Sequence, residues 1–248
     1  MRAAVRGGRW TTTTHGLARG YVQASVAILP EKYAFDFLRF CQRNPKPCPL
    51  LEVTDPGDPE ARMAAPGSDL PGHRLYRDGA FSEEVRSIHN LWCDDHVGVV
   101  LGCSLSFDEV LVEAGVRQCH LEQAGGRLAV YRTSIECVPA GVFHGPLVVA
   151  MRPIRKRDVV RAVELSARYP IAHGAPVHIS DPREIGMENP AKVDWGRYPA
   201  PAEDEAPVYW ACGVIPQATA MASGVPEMIT HSAGHMFVTD PHLSTMAH

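Results

Sequence analysis

The sequence has no apolar run approaching the length of a transmembrane helix, so no membrane span is expected. Met1 to Trp10 carries arginines and glycines without an apolar stretch behind them, which argues against a signal peptide. No CxxC pair occurs among the seven scattered cysteines, an odd number. Neither a disulfide framework nor a zinc ribbon is therefore indicated, and a reducing cytoplasm is the expected compartment. Charge of one sign is not in excess: the net charge is −4 and the pI is near 6.3. Nucleic acid and anionic membrane surfaces are accordingly not expected as partners. The chain also lacks a P-loop, a GxSxG and a GxGxxG, so nucleotide-binding and α/β-hydrolase readings lose their main support.

What is present is an ordinary globular composition, 45% apolar and 21% charged over 248 residues. That length suits one large domain or two small ones. Twenty-one glycines and 21 prolines predict short elements joined by defined turns. Residues 97–107 organise the pattern. Val97 to Leu101 is an unbroken apolar run, as in a strand buried on both faces. Ser106 with Glu109 three residues on reads as a capping box, with Leu105 and Val110 as its hydrophobic staple. A strand that empties into a helix start offers backbone N–H groups to an anion, and Cys103, Ser104 and Ser106 lie in that turn.

Along the chain, residues 1–20 read as a mobile lead-in and Tyr21 to Leu29 as a strand. A helix follows Pro30, with Tyr33, Ala34, Phe37, Leu38 and Cys41 on one face. Pro47 to Val53 is a short strand, 54–73 a long loop, and Arg74 to Arg77 an edge strand. Ser82 is placed to cap a helix through Cys93. Strands at Leu128–Cys137 and Gly145–Pro153 precede an amphipathic helix over Lys156–Arg168, with Val159, Val160, Val163 and Ala167 inward. Residues 116–170 thus read as a small α+β domain inserted in an α/β unit formed by 1–115 and 171–248. In the resumed unit, Ala175–Ile179 is a strand, Asp181 an N-cap, Val208–Val214 a strand, and Pro216 to Ser223 a helix closed by Gly224. Met228–His231 and Met236–Thr239 are short strands, and the last eight residues are expected to be disordered. If the strands ending at Cys103, Ile179 and Cys212 are parallel neighbours, Cys103, Ser104, His178, Asp181, Cys212 and Gln217 line one crevice.

His178 and His235 are candidates for general acid–base work, because imidazole titrates near neutrality. His173, His178, His231 and His235 form two pairs that could instead hold a metal, although their turns lack a helical HxxxH face. Cys103 and Cys212 could act as a two-thiol pair that moves a proton across a substrate, as in cofactor-independent racemisation, with Cys103 activated by a helix N-terminus. Arg152, Arg74 and Arg77 are candidates to fork a carboxylate.

Taken in order, Gly20-Tyr21-Val22-Gln23-Ala24, Ile28-Leu29-Pro30, Phe40-Cys41, Asn44-Pro45 and Pro47-Cys48-Pro49-Leu50-Leu51 resemble the D-glutamate cyclase family, which includes bacterial hydro-lyases. Gly102-Cys103-Ser104, Tyr131-Arg132-Thr133, Met151-Arg152-Pro153, His173 to His178, Asp181-Pro182, Trp210 to Val214, Thr230-His231 and Gly234-His235-Met236 continue the resemblance. It implies a three-layer αβα unit, here taken with a mixed sheet, plus a smaller two-layer α+β domain. It also implies a cofactor-independent lyase that closes D-glutamate to 5-oxo-D-proline with loss of water. Two departures stand out: Ser25 where the family has asparagine, and Gly67-Ser68-Asp69-Leu70-Pro71 where it has an Arg-Thr before Leu-Pro. No catalytic assignment comes from the resemblance; from the residues themselves His178, His235, Cys103, Cys212 and Asp181 are the catalytic candidates. Ser104, Ser106, Arg152, Arg74 and Gln217 are the substrate-binding ones. No metal or other cofactor is expected, the partner is a small carboxylate, and a homo-oligomer is compatible with the sequence. The alternatives are a non-catalytic module that binds glutamate or 5-oxoproline, a two-cysteine racemase-like enzyme, and a metal-dependent lyase.

Overall fold

The computed structural model describes residues 1–60, 69–122 and 126–247. In chain order its elements are α1 (Arg2–Arg6), β1 (Tyr21–Pro30), α2 (Glu31–Arg43), β2 (Leu50–Val53), β3 (His73–Arg77), β4 (Ala80–Val85), β5 (His96–Gly102) and α3 (Asp108–Glu113). They continue as β6 (Ala129–Glu136), β7 (Pro146–Arg155), α4 (Val159–Ala167), β8 (His178–Ile179), β9 (Glu205–Ala211), α5 (Ile215–Ser223), β10 (Glu227–His231) and β11 (Phe237–His242).

The fold is α/β. A first sheet runs β2-β5-β1-β10-β3-β4, with β11 also pairing β1; a second runs β6-β7-β9-β8. Every strand pair among the described residues is antiparallel, where a mixed sheet was expected. The second sheet takes strands from both sides of residue 170, so the 116–170 segment supplies only half of it.

β1 and β5 are buried along nearly their whole length, over residues 22–29 and 96–102, because both faces are covered. Ala24, Val26 and Ile28 pack on one face with Leu75, Val100 and Ile229. Ala27 and Leu29 face the other way, toward Phe37 and Phe40 of α2 and a core that also holds β6, β7 and α5 residues. This two-residue alternation is the pleat itself. A further core joins Phe107 and Leu111 to Trp210, Tyr169 and Leu243.

Several expectations are corrected. The lead-in is anchored: Thr14 accepts from Met236 N–H at 3.0 Å, donates its hydroxyl to Gln23 Oε1 at 2.9 Å, and bonds Gly234 O through its N–H. β3 is interior, between β10 and β4. The helix predicted from Ser82 is strand β4 and an irregular segment. In α4 the buried residues are Ala162 and Ser166, while Val160 and Ala167 are exposed. The C-terminal residues form the end of β11 and a 3-10 turn with Leu243 buried. Of the long loop, 61–68 lie outside the described residues, including Gly67 and Ser68 of the departure from the family pattern.

Candidate active site

β5 and β9 belong to different sheets, yet the turns that follow them meet. Cys103-Ser104-Leu105 and Cys212-Gly213-Val214 line one cavity of about 230 Å³, with the His231–Met236 turn after β10 as a third wall. Arg74, Glu84, Arg127 and His15 also line it. The convergence needs no parallel neighbours; it needs the two sheets to abut. Gly213 makes that approach possible, since a Cβ there would stand 1.9 Å from Ser25 Oγ on β1. Gly234, at φ +79°, lets the tail turn close over the lead-in, where a Cβ would meet the His15 ring at 2.9 Å.

The two thiols are barely exposed, 4% at Cys103 and 7% at Cys212. Burial pushes the Cys103 thiol far above its ordinary range, and the neighbouring Cys212 adds to the rise. The Leu105 N–H and Arg152 pull in the opposite direction without restoring it. Burial likewise raises Cys212 to about 11, against the Val214 N–H. Both sulfurs are therefore protonated thiols near neutral pH, and the expected activation of Cys103 by a helix N-terminus is not found. The reason is local: residues 104–107 form a 3-10 turn, and α3 begins only at Asp108. A thiolate is what a proton-abstracting cysteine must supply, so the two-thiol reading loses its chemical basis.

Arg74 stands at the cavity wall with its guanidinium 4.3 Å from the centre of the Phe81 ring. Its Nη1 donates to Gln217 Oε1 at 3.3 Å, its Nε makes no hydrogen bond, and it lies 3.9 Å from Glu84. Gln217 does not line the cavity. Fully buried, it holds Arg74 and Tyr76 through Oε1 and donates Nε2 to His231 O at 2.8 Å, so it positions the wall. Ser104 lines the cavity, and its Oγ accepts from Arg152 Nη2 at 3.2 Å.

Arg152 is not at the cavity surface. It is buried between the rings of Phe107 and Trp210, 5.2 and 5.3 Å from their centres, and paired with Asp108 at 2.8 Å. Asp108 in turn contacts His120 Nε2 at 2.7 Å. Burial would raise the Asp108 carboxyl, but Arg152 and His120 together hold it down at about 2. Ser106 is no cap: its Oγ accepts from Gln23 N–H at 2.9 Å and donates to Gln23 O at 3.1 Å, tying the turn to β1. His178 and Asp181 lie elsewhere. His178 bonds Asp181 O at 2.7 Å, and Asp181 caps the following turn through Arg183 N–H at 3.0 Å. The four-histidine metal reading fails for the same reason: His173 bonds Lys46 O, His178 bonds Asp181 O, and only His231 and His235 reach the cavity.

His235 bonds Ala233 O through Nδ1 at 3.1 Å. His231 Nε2 and His15 Nδ1 lack hydrogen-bond partners. Burial lowers His231 to about 4 and His15, also beside His120, to about 3. His15, Arg127 and Glu84 escaped the reading of the sequence, because nothing periodic marks a histidine in a polar lead-in or a glutamate on an exposed strand.

A family model for D-glutamate cyclase matches residues 97–240, more than half the chain. The chain belongs to the D-glutamate cyclase family. A "Putative hydro-lyase" of Rubrobacter xylanophilus is 52% identical over 96% of this chain and 93% of its own. One from Geobacillus kaustophilus is 50% identical over 96% and 92%, and one from Bacillus subtilis 46% over 97% and 95%. A solved structure of a nitrogen repressor-like protein from Methanococcus jannaschii covers 96% of this chain and 97% of its own, at 10% identity and a TM-score of 0.41. By its family and these relatives, the chain is a lyase of the hydro-lyase type. No helix among the described residues is long and apolar enough to cross a membrane.

Proposed function

We propose that this D-glutamate cyclase family member cyclises a small acidic amino acid, D-glutamate or a close analogue, to its lactam with loss of water. The observation that carries this reading is the meeting of Arg74, Glu84 and His235 with the Cys103 and Cys212 turns in one small cavity. In the reaction the amine nitrogen attacks the γ-carboxyl carbon, a C–N bond forms, and a C–O bond breaks. The ammonium gives up two protons and the departing oxygen takes both, so the charge of the substrate is unchanged. Proton transfer and orientation are all the protein must provide, and the reading needs no cofactor.

The residues fit those tasks. Arg74, whose Nε makes no hydrogen bond, forks the α-carboxylate. Glu84 takes the ammonium. Ser104 and Gly213 face the γ-carboxylate, where donors stabilise the developing oxyanion. His235 moves protons between nitrogen and leaving oxygen. The protonated thiols of Cys103 and Cys212 shape the cavity and are weak donors. Seven free cysteines suit work in a reducing cytoplasm.

Incubation with D-glutamate and chromatography for 5-oxoproline tests the reading. Product should form with the intact enzyme and fall by at least about 100-fold in His235→Asn, the range expected for a lost general acid–base. No product above a buffer blank, from D-glutamate or a panel of small amino dicarboxylates, removes the substrate claim.

A further inference from the structure

Beside the substrate cavity lies a second recess of about 300 Å³, walled by Arg117, His120, Arg127, Arg197 and Glu205. Leu128 and Arg127 line both, so the two spaces share one wall. Three guanidiniums face a single carboxylate here, in a chain whose net charge is −4. Arg117 is already engaged, by Glu122 at 2.7 Å and Glu205 at 3.4 Å. Glu205 is also held by Ala202 N–H at 3.0 Å. Arg127 and Arg197 make no hydrogen bond or ion pair among the described residues.

His120 supplies the second, independent observation. It is only 5% exposed, yet its Nδ1 has no hydrogen-bond partner. Its Nε2 is engaged by Asp108 Oδ2 at 2.7 Å, and Nδ1 is the ring nitrogen left without a partner. A buried polar atom without a partner is costly unless something supplies one. Two unspent arginine forks and an unpartnered imidazole nitrogen across one recess match a ligand that carries several negative charges and a hydroxyl of its own. Hydrogen phosphate and hydroxy-tricarboxylates share that chemistry. Field lines focused in a recess favour the multiply charged form over a monovalent ion.

We propose that this recess is a binding site for a small multivalent oxyanion, distinct from the substrate cavity, with Arg127 and Arg197 as its forks and His120 Nδ1 hydrogen-bonded to the ligand's hydroxyl. An anion that engages Arg127 is one side chain from the substrate.

Calorimetric titration of the whole protein at low salt with inorganic phosphate, glycerol 3-phosphate and citrate tests this. Saturable binding of at least one is expected, weakened about tenfold or more in Arg197→Gln and Arg127→Gln. Arg74→Gln, in the substrate cavity, and Arg39→Gln, on the outside of α2, should each change it less than twofold. Tighter binding of the phosphates assigns a phosphate ligand, and tighter binding of citrate a carboxylate one. No saturable binding of any of the three overturns the proposal. So does an equal loss in Arg74→Gln, which puts the anion in the substrate cavity, or in Arg39→Gln, which reduces it to net charge. None of these outcomes depends on turnover of D-glutamate.

Discussion

Ser25 of β1 and Ser106 beside it show how partners, not residue type, decide what a hydroxyl is worth. Ser106 both accepts from and donates to the Gln23 backbone while fully enclosed. Ser106→Ala strands a buried N–H and a buried carbonyl, so a loss of about 1–3 kcal/mol is expected in chemical denaturation. Ser25 is just as buried, but its Oγ has no partner. Ser25→Ala removes a desolvated hydroxyl and leaves nothing orphaned, so stability should hold or rise. A loss comparable to that of Ser106→Ala would mean that Ser25 has a partner in solution. The cysteines make a parallel contrast. Native protein treated with a thiol alkylator near neutral pH should label exposed Cys93 first, while Cys103 and Cys212 stay unlabelled, because burial raises both thiols. Peptide mass spectrometry that finds Cys103 labelled as fast as Cys93 would restore a reactive role to it. A serine before a strand-following apolar run did read as a cap, since the spacing Ser106–Glu109 satisfies the capping rule. The rule fails here because the first turn is 3-10 and the hydroxyl finds a neighbouring strand.

At the scale of elements, the apolar pattern was a sound guide wherever burial was complete. β1, β5 and α5 fall within a residue or two of expectation, and Asp181 and Gly224 cap as their types predict. The pattern misled where the end of an exposed strand and the irregular segment after it mimic helical spacing. Val85, Ile88, His89 and Trp92 are three or four apart, but β4 begins at Ala80 because Asp78-Gly79 makes a two-residue hairpin, with φ +48° and +78°. Asp-Gly is the strongest short hairpin signal, and it outweighs weak periodicity on an exposed strand. The Arg152–Asp108–His120 cluster was illegible altogether, because it joins β7, α3 and the 119–121 turn across the chain. It fixes Ser104 through Arg152, so it shapes the cavity from behind. Asp108→Asn leaves Arg152 charged and enclosed without a counter-ion. Removal of one partner of such a pair should cost about 3–5 kcal/mol, seen as a lower denaturation midpoint. A double variant, Asp108→Leu with Arg152→Met, should recover much of that loss, and failure to recover would mean the cluster stabilises by more than charge pairing.

For the whole molecule, what the sequence could not reveal is that two sheets, rather than two adjacent strands, bring Cys103 and Cys212 together. Residues 103 and 212 each follow an apolar run, and each run was recognisable; the contact between them is a property of α2, α5 and the shared core. The same enclosure sets how the protein responds to acid. His15, His173 and His231 are held neutral, chiefly by burial, near 3, 4 and 4 against an ordinary 6.5. Their folded values are the lower ones, so between pH 6.5 and about 4 the unfolded chain binds more protons, and stability falls as pH falls. Asp108 acts in the next window. Its folded value near 2 lies below the ordinary 3.8, so its contribution is present above pH 3.8 and is lost as pH drops toward 2. Each histidine adds a slope of at most about 1.4 kcal/mol per pH unit. His173 is the residue with which to test this. It sits at φ +75°, a conformation asparagine tolerates, and bonds Lys46 O through Nδ1. Urea denaturation of His173→Asn at several pH values from 7 to 4 should give a lower stability at pH 7, because that bond is lost. Its decline on acidification should nonetheless be shallower than that of the unaltered protein, since one enclosed group that resists protonation is gone. A parallel decline in the two proteins would show that His173 takes up its proton as readily folded as unfolded, and that burial at the 170–174 turn does not govern the acid response.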